Sequence, residues 1–269
     1  MSRPITAFLP YSGQHFTKSA VGQLNQSGLV QKIFLLTTDK ELQPIEGCET
    51  LAVQSLTGSK TMEMMAKKSS TAFSLFLLHD TAIEFGQFGL ERFLNVAGMT
   101  NAGLLYSDYY DIKMSARTSH PLTDYQSGSI RDDFNFGSVV MMRSGALKDA
   151  LSSLNSSGYQ FAGWYGVRLA LSRHESVTRI GEFLYSKIES DLRRSGEKLF
   201  DYVDPKNRQV QVEMEVVATN HLKKIDAYLK PAFKEVNLKE GTFAVEASVV
   251  IPVRNRVKTI RDAVDSVLN

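Results

Sequence analysis

The side chains best suited to chemistry are carboxylates and one histidine that follow apolar stretches of the chain. His79 and Asp80 come directly after the apolar run 73–78. An imidazole and a carboxylate are both ligands for a divalent metal, although such a pair in a loop also commonly forms a simple hydrogen bond. Asp132 and Asp133 are adjacent in a polar stretch, where a carboxylate can act as an acid or a base or can cap a turn. The chain therefore offers few candidates for metal binding and proton transfer.

Two further polar turns follow the first two apolar runs. Pro10-Tyr11-Ser12 comes after residues 5–9, and Asp39 comes after residues 32–36. The Asp39 carboxylate can accept hydrogen bonds from two donors of a ligand, or it can hold its own turn together. Both interpretations of Asp39 stay open at this point.

These candidates must be positioned by strands and helices. Up to Tyr106, apolar runs of strand length alternate with amphipathic runs of helix length. We predict strands at 5–9, 32–36, 50–53, 73–78 and 102–106, and helices at 14–27, 60–68 and 87–97. This alternation predicts a doubly wound α/β domain whose parallel sheet has helices on both faces. Ligands bind beyond the carboxyl ends of such strands, so the turns after Leu9, Leu36, Leu78 and Tyr106 form the predicted binding region.

The pattern changes after Tyr106. Residues 107–136 are polar and predict an extended loop region. A strand at 138–142, a helix capped by Ser144, a helix at 160–171 and an extended segment at 177–185 follow. Asp204-Pro205 predicts the start of a long helix that ends near residue 229. Its apolar stripe either packs on its own domain or forms an interface between two modules.

Composition and charge exclude several classes of protein. A net charge of +2 gives no electrostatic reason to expect nucleic acid as a partner. The single cysteine, Cys48, rules out an internal disulfide and fits a reducing cytoplasm. The first residues lack the apolar core of a secretory signal, and no run of about 18 apolar residues predicts a membrane span. We therefore expect a cytoplasmic location.

Residues 246–269 predict a buried strand, a proline turn and an amphipathic helix. The run Ser248-Val249-Val250-Ile251-Pro252-Val253-Arg254-Asn255 closely resembles the S-V-V-I-P-x-Y-N start of family 2 glycosyltransferases of the GT-A fold. A similar apolar run ends at Pro10, as a repeated domain would explain. The resemblance implies a GT-A-like α/β domain at 1–200, whose mixed, mainly parallel sheet has helices on both faces. It also implies a long helix and linker at 201–245, and the first strand and helix of a second, truncated GT-A domain at 246–269.

Three stretches of the first domain also resemble this family, in the family's order. Leu104-Leu105-Tyr106-Ser107-Asp108-Tyr109-Tyr110 is similar to its V-Y-S-D-Y stretch. Phe136-Gly137-Ser138-Val139-Val140-Met141-Met142-Arg143-Ser144-Gly145-Ala146 is similar to a strand and helix start of the family, and Tyr165-Gly166-Val167-Arg168-Leu169-Ala170 is similar to its Y-D-L-W-L-R-L-A helix. The resemblance thus covers most of residues 5–190.

The resemblance implies specific chemistry. Family members bind a nucleotide-diphosphosugar with Mg or Mn held by a D-x-D motif, and inverting members use a carboxylate of an E-D pair as general base. Transferred to this chain, the nucleotide-sugar contacts fall on Pro10, Tyr11, Ser12, Asp39 and Asp80, and the metal contacts on Asp80 and His79.

The chain departs from the family at both acidic motifs. His79-Asp80-Thr81 has one carboxylate instead of two, and Phe161-Ala162-Gly163-Trp164 has none where the E-D pair is expected. Asp132 and Asp133 are the candidates for the missing catalytic acids. Trp164 either stacks on a sugar or packs in the core.

The resemblance implies a glycosyltransferase that transfers a sugar from a nucleotide-diphosphosugar to a glycan or lipid-linked acceptor in polysaccharide biosynthesis. Catalysis is then expected mainly in the second domain, with the full-length protein active and residues 1–269 inactive alone. The resemblance also allows peripheral association with the inner face of a membrane. The missing acids leave an alternative of another class, a non-catalytic GT-A-like binding or assembly module.

Overall fold

The computed structural model describes residues 3–154, 158–189, 208–235 and 247–268. The chain divides into two compact units, Met1–Tyr228 and Leu229–Asn269. The strands are β1 (Ile5–Pro10), β2 (Val30–Thr37), β3 (Glu49–Ala52), β4 (Phe73–Leu77), β5 (Ala82–Phe85), β6 (Leu104–Lys113), β7 (Ala116–His120), β8 (Val139–Arg143) and β9 (Val177–Ile188). The helices are α1 (His15–Gln26), α2 (Ser59–Lys68), α3 (Gly89–Thr100), α4 (Ser144–Ser153), α5 (Gly163–Leu171), α6 (Arg208–Lys224) and α7 (Ile260–Leu268).

The strands of the first unit form one mixed sheet. Its order is β3-β2-β1-β4-β8-β6-β9-β5, and β7 pairs with β6 at the side. β1 to β4 are parallel, and β8 is antiparallel to both β4 and β6, so β6 and its parallel partner β9 point the same way as β4. Six of the nine described strands therefore share one direction. The predicted mixed, mainly parallel α/β sheet is confirmed.

The centre of the sheet is held by a stack of three aromatic rings. Phe8 lies between Phe34 and Phe76, with ring centroids 5.3 Å and 5.4 Å away. The three residues share one register across β2, β1 and β4, so their side chains emerge from the same face of the sheet. All three are almost fully buried. The stack therefore fixes the positions of the three strands relative to one another.

The predicted loop at 107–136 is partly wrong. β6 continues to Lys113 and forms a hairpin with β7. The polar run is regular here because β6 is also paired with β9 along its length, which satisfies its backbone groups. The short strand β5, which pairs with β9, was not predicted.

Three local predictions are not confirmed: two differ from the structure, and one lies outside the described residues. Ser144 does not cap α4, because Arg143 occupies the N-cap position and the Ser144 hydroxyl instead lies 2.8 Å from that of Ser74. The predicted helix start at Asp204-Pro205 lies outside the described residues, and α6 is described from Arg208. Residues 248–251 form no strand in the described part of the second unit, since no described strand pairs with them there, whereas α7 is helical.

Helix α6 packs on α5 within the first unit. Val217 is buried against Ala162, Tyr165 and Leu169, with Met214 beside them. Of the two interpretations of the apolar stripe, the structure thus shows contact with its own unit. Among the described residues, no helix is long and apolar enough to cross a membrane.

We predict that Phe8→Ala destabilises the first unit by about 3–5 kcal/mol, the usual range when a buried phenylalanine is truncated. The loss arises because both neighbouring rings lose their partner. Chemical denaturation followed by circular dichroism measures it. Met99→Ala is the control, since that side chain is 82% exposed and its truncation should change the unfolding free energy by less than about 0.5 kcal/mol. Equal effects of the two substitutions would contradict the role given to the stack.

Candidate functional site

A cavity of about 350 Å³ opens at the carboxyl ends of β1, β2 and β4. Pro10 ends β1, Leu36 lies near the end of β2, and His79 follows β4. The opposite wall consists of residues 132–137 and of Trp164 in the first turn of α5. The cavity lies in the predicted binding region, where the strand ends of an α/β sheet place a ligand.

The floor of the cavity is apolar and aromatic. Phe8 and Phe76 reach it from the stacked core, and Met62 and Met65 reach it from α2. Trp164 meets the Phe76 ring edge-to-face at 5.8 Å and is only half-buried. Trp164 thus packs on the core and also lines the cavity, where stacking on a sugar stays a prediction. Such a floor suits a flat ring or the apolar face of a sugar.

His79 lines the cavity, and Asp80 next to it does not. Partial burial of the imidazole, and then the charge of Lys187, lower the pKa of His79. Its Nδ1 lies 3.5 Å from the Ser138 hydroxyl. A histidine with a lowered pKa is neutral at neutral pH and can accept a hydrogen bond or ligate a metal.

The Asp80 carboxylate accepts a hydrogen bond from the Ser12 hydroxyl. Burial raises the pKa of Asp80, and the hydrogen bonds from Ser12 oppose that rise. This contact joins the turn after β1 to the turn after β4, as expected for neighbouring strands whose carboxyl ends share one edge. Ser12 and Asp80 are thus brought together, beside the strand ends that open into the cavity.

The other two residues predicted to contact a nucleotide lie outside the cavity wall. Tyr11 is buried and donates a hydrogen bond from its hydroxyl to the Gln43 carbonyl at 3.0 Å. Asp39 is exposed and accepts a hydrogen bond from the Glu41 amide at 2.9 Å, so its carboxylate holds the turn. These bonds account for both residues within the fold, and a nucleotide contact stays a prediction for each.

The two candidate catalytic acids, Asp132 and Asp133, line the cavity and are exposed. The Arg131 guanidinium donates two hydrogen bonds of 2.9 Å to the Asp133 carboxylate. These bonds lower the pKa of Asp133, so the group is ionised at neutral pH and is a weak base. Asp132 carries no such clamp and is the better placed of the two for proton transfer.

The donor set provides no complete metal cage. Among the described residues, no three His, Cys, Asp or Glu side chains gather closely enough to hold a metal ion. Mg and Mn in nucleotide sites take one or two carboxylates and complete their coordination with phosphate oxygens and water. Asp80 and His79 offer a carboxylate and an imidazole of the types that ligate such a cation, and metal binding by them stays a prediction.

Side chains of α5 hold the loop that carries Asp132 and Asp133 in place. Arg168 is 1% exposed and donates a hydrogen bond from Nη2 to the Arg131 carbonyl at 2.5 Å. The Tyr165 hydroxyl donates to the Ile130 carbonyl. Desolvation lowers the pKa of Arg168, whose guanidinium lies over the Tyr165 ring at 4.9 Å. Sequence reasoning matched this helix to the family but missed its positioning role, which depends on long-range contacts.

An ion pair between Arg179 and the buried Asp108 fixes the start of the same loop region. Arg179 donates hydrogen bonds of 2.8 Å and 2.7 Å to the Asp108 carboxylate, which also accepts one of 2.8 Å from the Leu122 amide. Burial alone would raise the pKa of Asp108, but these bonds outweigh it and the pKa is lowered. Asp108 is thus a structural anchor, whose carboxylate is used within the fold.

Helix α6 supplies an acid at the start of α5, where the local sequence has none. The Glu213 carboxylate accepts hydrogen bonds from the amides of Gln160, Phe161 and Ala162 at 3.1 Å, 2.7 Å and 3.1 Å. These amides precede the first turn of α5 and would otherwise lack partners there. Glu213 therefore holds the segment that carries Trp164. Its oxygens are committed to the backbone, so it does not replace the missing general base.

The fold is of the GT-A glycosyltransferase type. The particular solved structures that it resembles are those of S. aureus TarS residues 1–349. The complex of that protein with UDP matches at a TM-score of 0.54 and 10% identity, over 84% of this chain and 67% of the other. The complex with UDP-GlcNAc matches at a TM-score of 0.51 and 10% identity, over 83% and 73%. At such low identity the likeness establishes the fold alone.

A further structure of TarS 1–349 matches at a TM-score of 0.49 and 12% identity, and covers 68% of this chain. This chain spans 59% of that solved chain. No protein-family model matches the chain. No curated protein matches its sequence.

We predict that Glu213→Ala destabilises the first unit by about 1–3 kcal/mol, because three amides lose a charged partner. Urea denaturation measures the change. Glu215→Ala on the same helix is the control, since Glu215 is exposed and its removal should cost less than about 0.5 kcal/mol. Indistinguishable stabilities of the two variants would show that the carboxylate does not hold the start of α5.

Proposed function

We propose that the chain is the nucleotide-sugar-binding part of a family 2 glycosyltransferase. Its whole protein would transfer a sugar from a nucleotide-diphosphosugar to a glycan or lipid-linked acceptor in polysaccharide biosynthesis. The observation that carries this proposal is the cavity at the carboxyl ends of β1, β2 and β4 in a GT-A-type fold. The TarS structures in complex with UDP and UDP-GlcNAc make these the first ligands to test.

The shape and chemistry of the cavity support a nucleotide-sugar. Its volume of about 350 Å³ lies within the range of roughly 300–1,000 Å³ found for small-molecule sites. The aromatic floor offers Trp164 and Phe76 to a flat base or sugar face. The opposite wall is polar, and there Asp132 and Asn135 can accept hydrogen bonds from hydroxyl groups.

The diphosphate poses the main electrostatic problem. The described residues that line the cavity include Asp132 and Asp133 but no lysine or arginine. Two phosphate charges beside two carboxylates repel unless a cation lies between them. Asp80 and His79 would hold Mg or Mn that enters with the diphosphate. Such a cation stabilises the charge on a departing diphosphate when it is bound.

We infer that most of the catalysis belongs to a second GT-A domain. This inference rests on the family-like run Ser248 to Asn255 and on the poor acid set of the first domain. Asp133 is clamped by Arg131, and Glu213 is bound to the backbone. In the first domain, Asp132 is left as the one described acid on the cavity wall that is not clamped. The domain bounds 1–200, 201–245 and 246–269 stay part of this proposal.

Binding of the nucleotide is tested by calorimetry with UDP, UDP-GlcNAc and a panel of other UDP- and GDP-sugars, with and without Mn²⁺. We expect metal-dependent binding. Trp164→Ala should weaken it about tenfold, the scale of one lost aromatic stack, and Trp164→Phe should restore most of it. Met99→Ala, far from any cavity wall, serves as the matched control. Absence of binding by every nucleotide tested would refute the donor-binding proposal.

A non-catalytic binding or assembly module is the second candidate. The observation that favours it is the single carboxylate after β4, together with the lack of a metal cluster among the described residues. Release of nucleotide from a UDP- or GDP-sugar separates the two candidates. If the whole protein binds the nucleotide-sugar but releases no nucleotide with any acceptor tested, the protein is the non-catalytic module. If it turns over, and Asp132→Asn lowers the rate while binding is retained, the first domain takes part in catalysis.

A further inference from the structure

A second cavity, of about 270 Å³, lies between α5 and α6, and none of its lining residues lines the cavity at the strand ends of β1, β2 and β4. Its apolar wall is formed by Leu154 at the end of α4, Leu169 in α5 and Val217 in α6. The helices are closely packed here, since Gly166 of α5 faces Leu154 and Val217. The cavity is thus enclosed by packed helices of the first unit.

The polar wall of this cavity is cationic. It is formed by Arg173, His221, Lys223 and Lys224, with Asn220 between them. No aspartate or glutamate of the described chain lines it. Three permanent positive charges therefore line one small space, and no described carboxylate lines it with them; Lys223 also lies over the Tyr228 ring at 5.0 Å. Such a cluster repels itself unless an anion enters.

His221 is the most buried of these groups. It is 5% exposed, and its Nδ1 has no hydrogen-bond partner. Burial, and then the charges of Arg173, Arg168 and Lys224, lower its pKa. The groups that face it from α5, from the residues after α5 and from α6 are therefore all cationic. A buried polar atom without a partner is rare in folded proteins and commonly indicates a missing ligand or water.

The cations are only partly used by the fold. Arg173 donates from Nη2 to the Ser153 hydroxyl at 2.9 Å, and Lys224 donates to the Ser153 carbonyl at 2.7 Å. These bonds help to hold the C-terminal end of α4. A guanidinium has five N–H donors and an ammonium has three, so both groups retain donors for a ligand.

We propose that this cavity binds the phosphate group of a small phosphate-bearing ligand, at a site separate from the cavity at the strand ends. A phosphate matches the fork of Arg173, the point charges of Lys223 and Lys224, and the imidazole of His221. The apolar wall accommodates the carbon skeleton of a phosphate ester. The proposal does not depend on the identity of the ligand at the strand ends.

The test follows the histidine imidazole resonances of the full chain while inorganic phosphate is added at constant ionic strength. We expect a saturable shift of the His221 resonance, with His15 and His174 unaffected. Lys224→Gln should weaken phosphate binding about tenfold, the scale of one charged hydrogen bond. Lys148→Gln, which removes an exposed charge from α4 outside the cavity, should leave the affinity unchanged. Circular dichroism confirms that both variants are folded.

The source of the phosphate is distinguished by a second measurement. Sedimentation with phosphatidylglycerol vesicles, compared with phosphatidylcholine vesicles, shows whether a lipid headgroup enters the site. Vesicle binding that is weakened by Lys224→Gln supports the site with a lipid as the source, and phosphate binding without vesicle binding supports it with a soluble ester. A non-saturating shift, or equal effects of Lys224→Gln and Lys148→Gln, would overturn the proposal.

Discussion

The in-register stack of Phe34, Phe8 and Phe76 is the contact on which the rest of the first unit depends. It aligns β2, β1 and β4 so that their carboxyl ends meet at one edge. Because strand direction and register are set there, the turns after Pro10 and Leu77 are brought within hydrogen-bonding distance of each other. Two of these rings, Phe8 and Phe76, form part of the cavity floor. The aromatic layer therefore packs the core and also supplies the surface that lines the cavity.

Helix α5 positions both parts of the cavity wall that lies opposite the strand ends, namely residues 132–137 and Trp164. Its buried Arg168 and Tyr165 hold the backbone at residues 130 and 131, and its first turn presents Trp164. An arginine with so little exposure is costly unless its donors are used. Its burial is compensated in part by the Arg131 carbonyl and by the surrounding aromatic rings. The carboxylates at 132 and 133 thus depend on an interior cation for their position.

The sequence predicted the repeating part of the fold and missed what depends on distant partners. β1, β2 and β4 were predictable because they are continuously apolar, as buried parallel strands are. The extension of β6 was not, because its polar residues are stabilised by pairing with β9, about 70 residues later in the chain. For the site, the strand ends were predictable from topology, and Asp132, Asp133 and His79 do line the cavity. Glu213 was not predictable, since an acid on one helix serves amides 51 to 53 residues earlier.

The bond between Glu213 and the amides of residues 160–162 has a consequence for motion. Those amides can exchange their hydrogens with solvent only when the carboxylate leaves, and the carboxylate moves with α6. Opening of α6 therefore removes the charged partner of these amides and loosens the start of α5. Trp164 gains freedom in the same event, so the dynamics of a helix remote from the sheet set how rigid the aromatic wall of the cavity is.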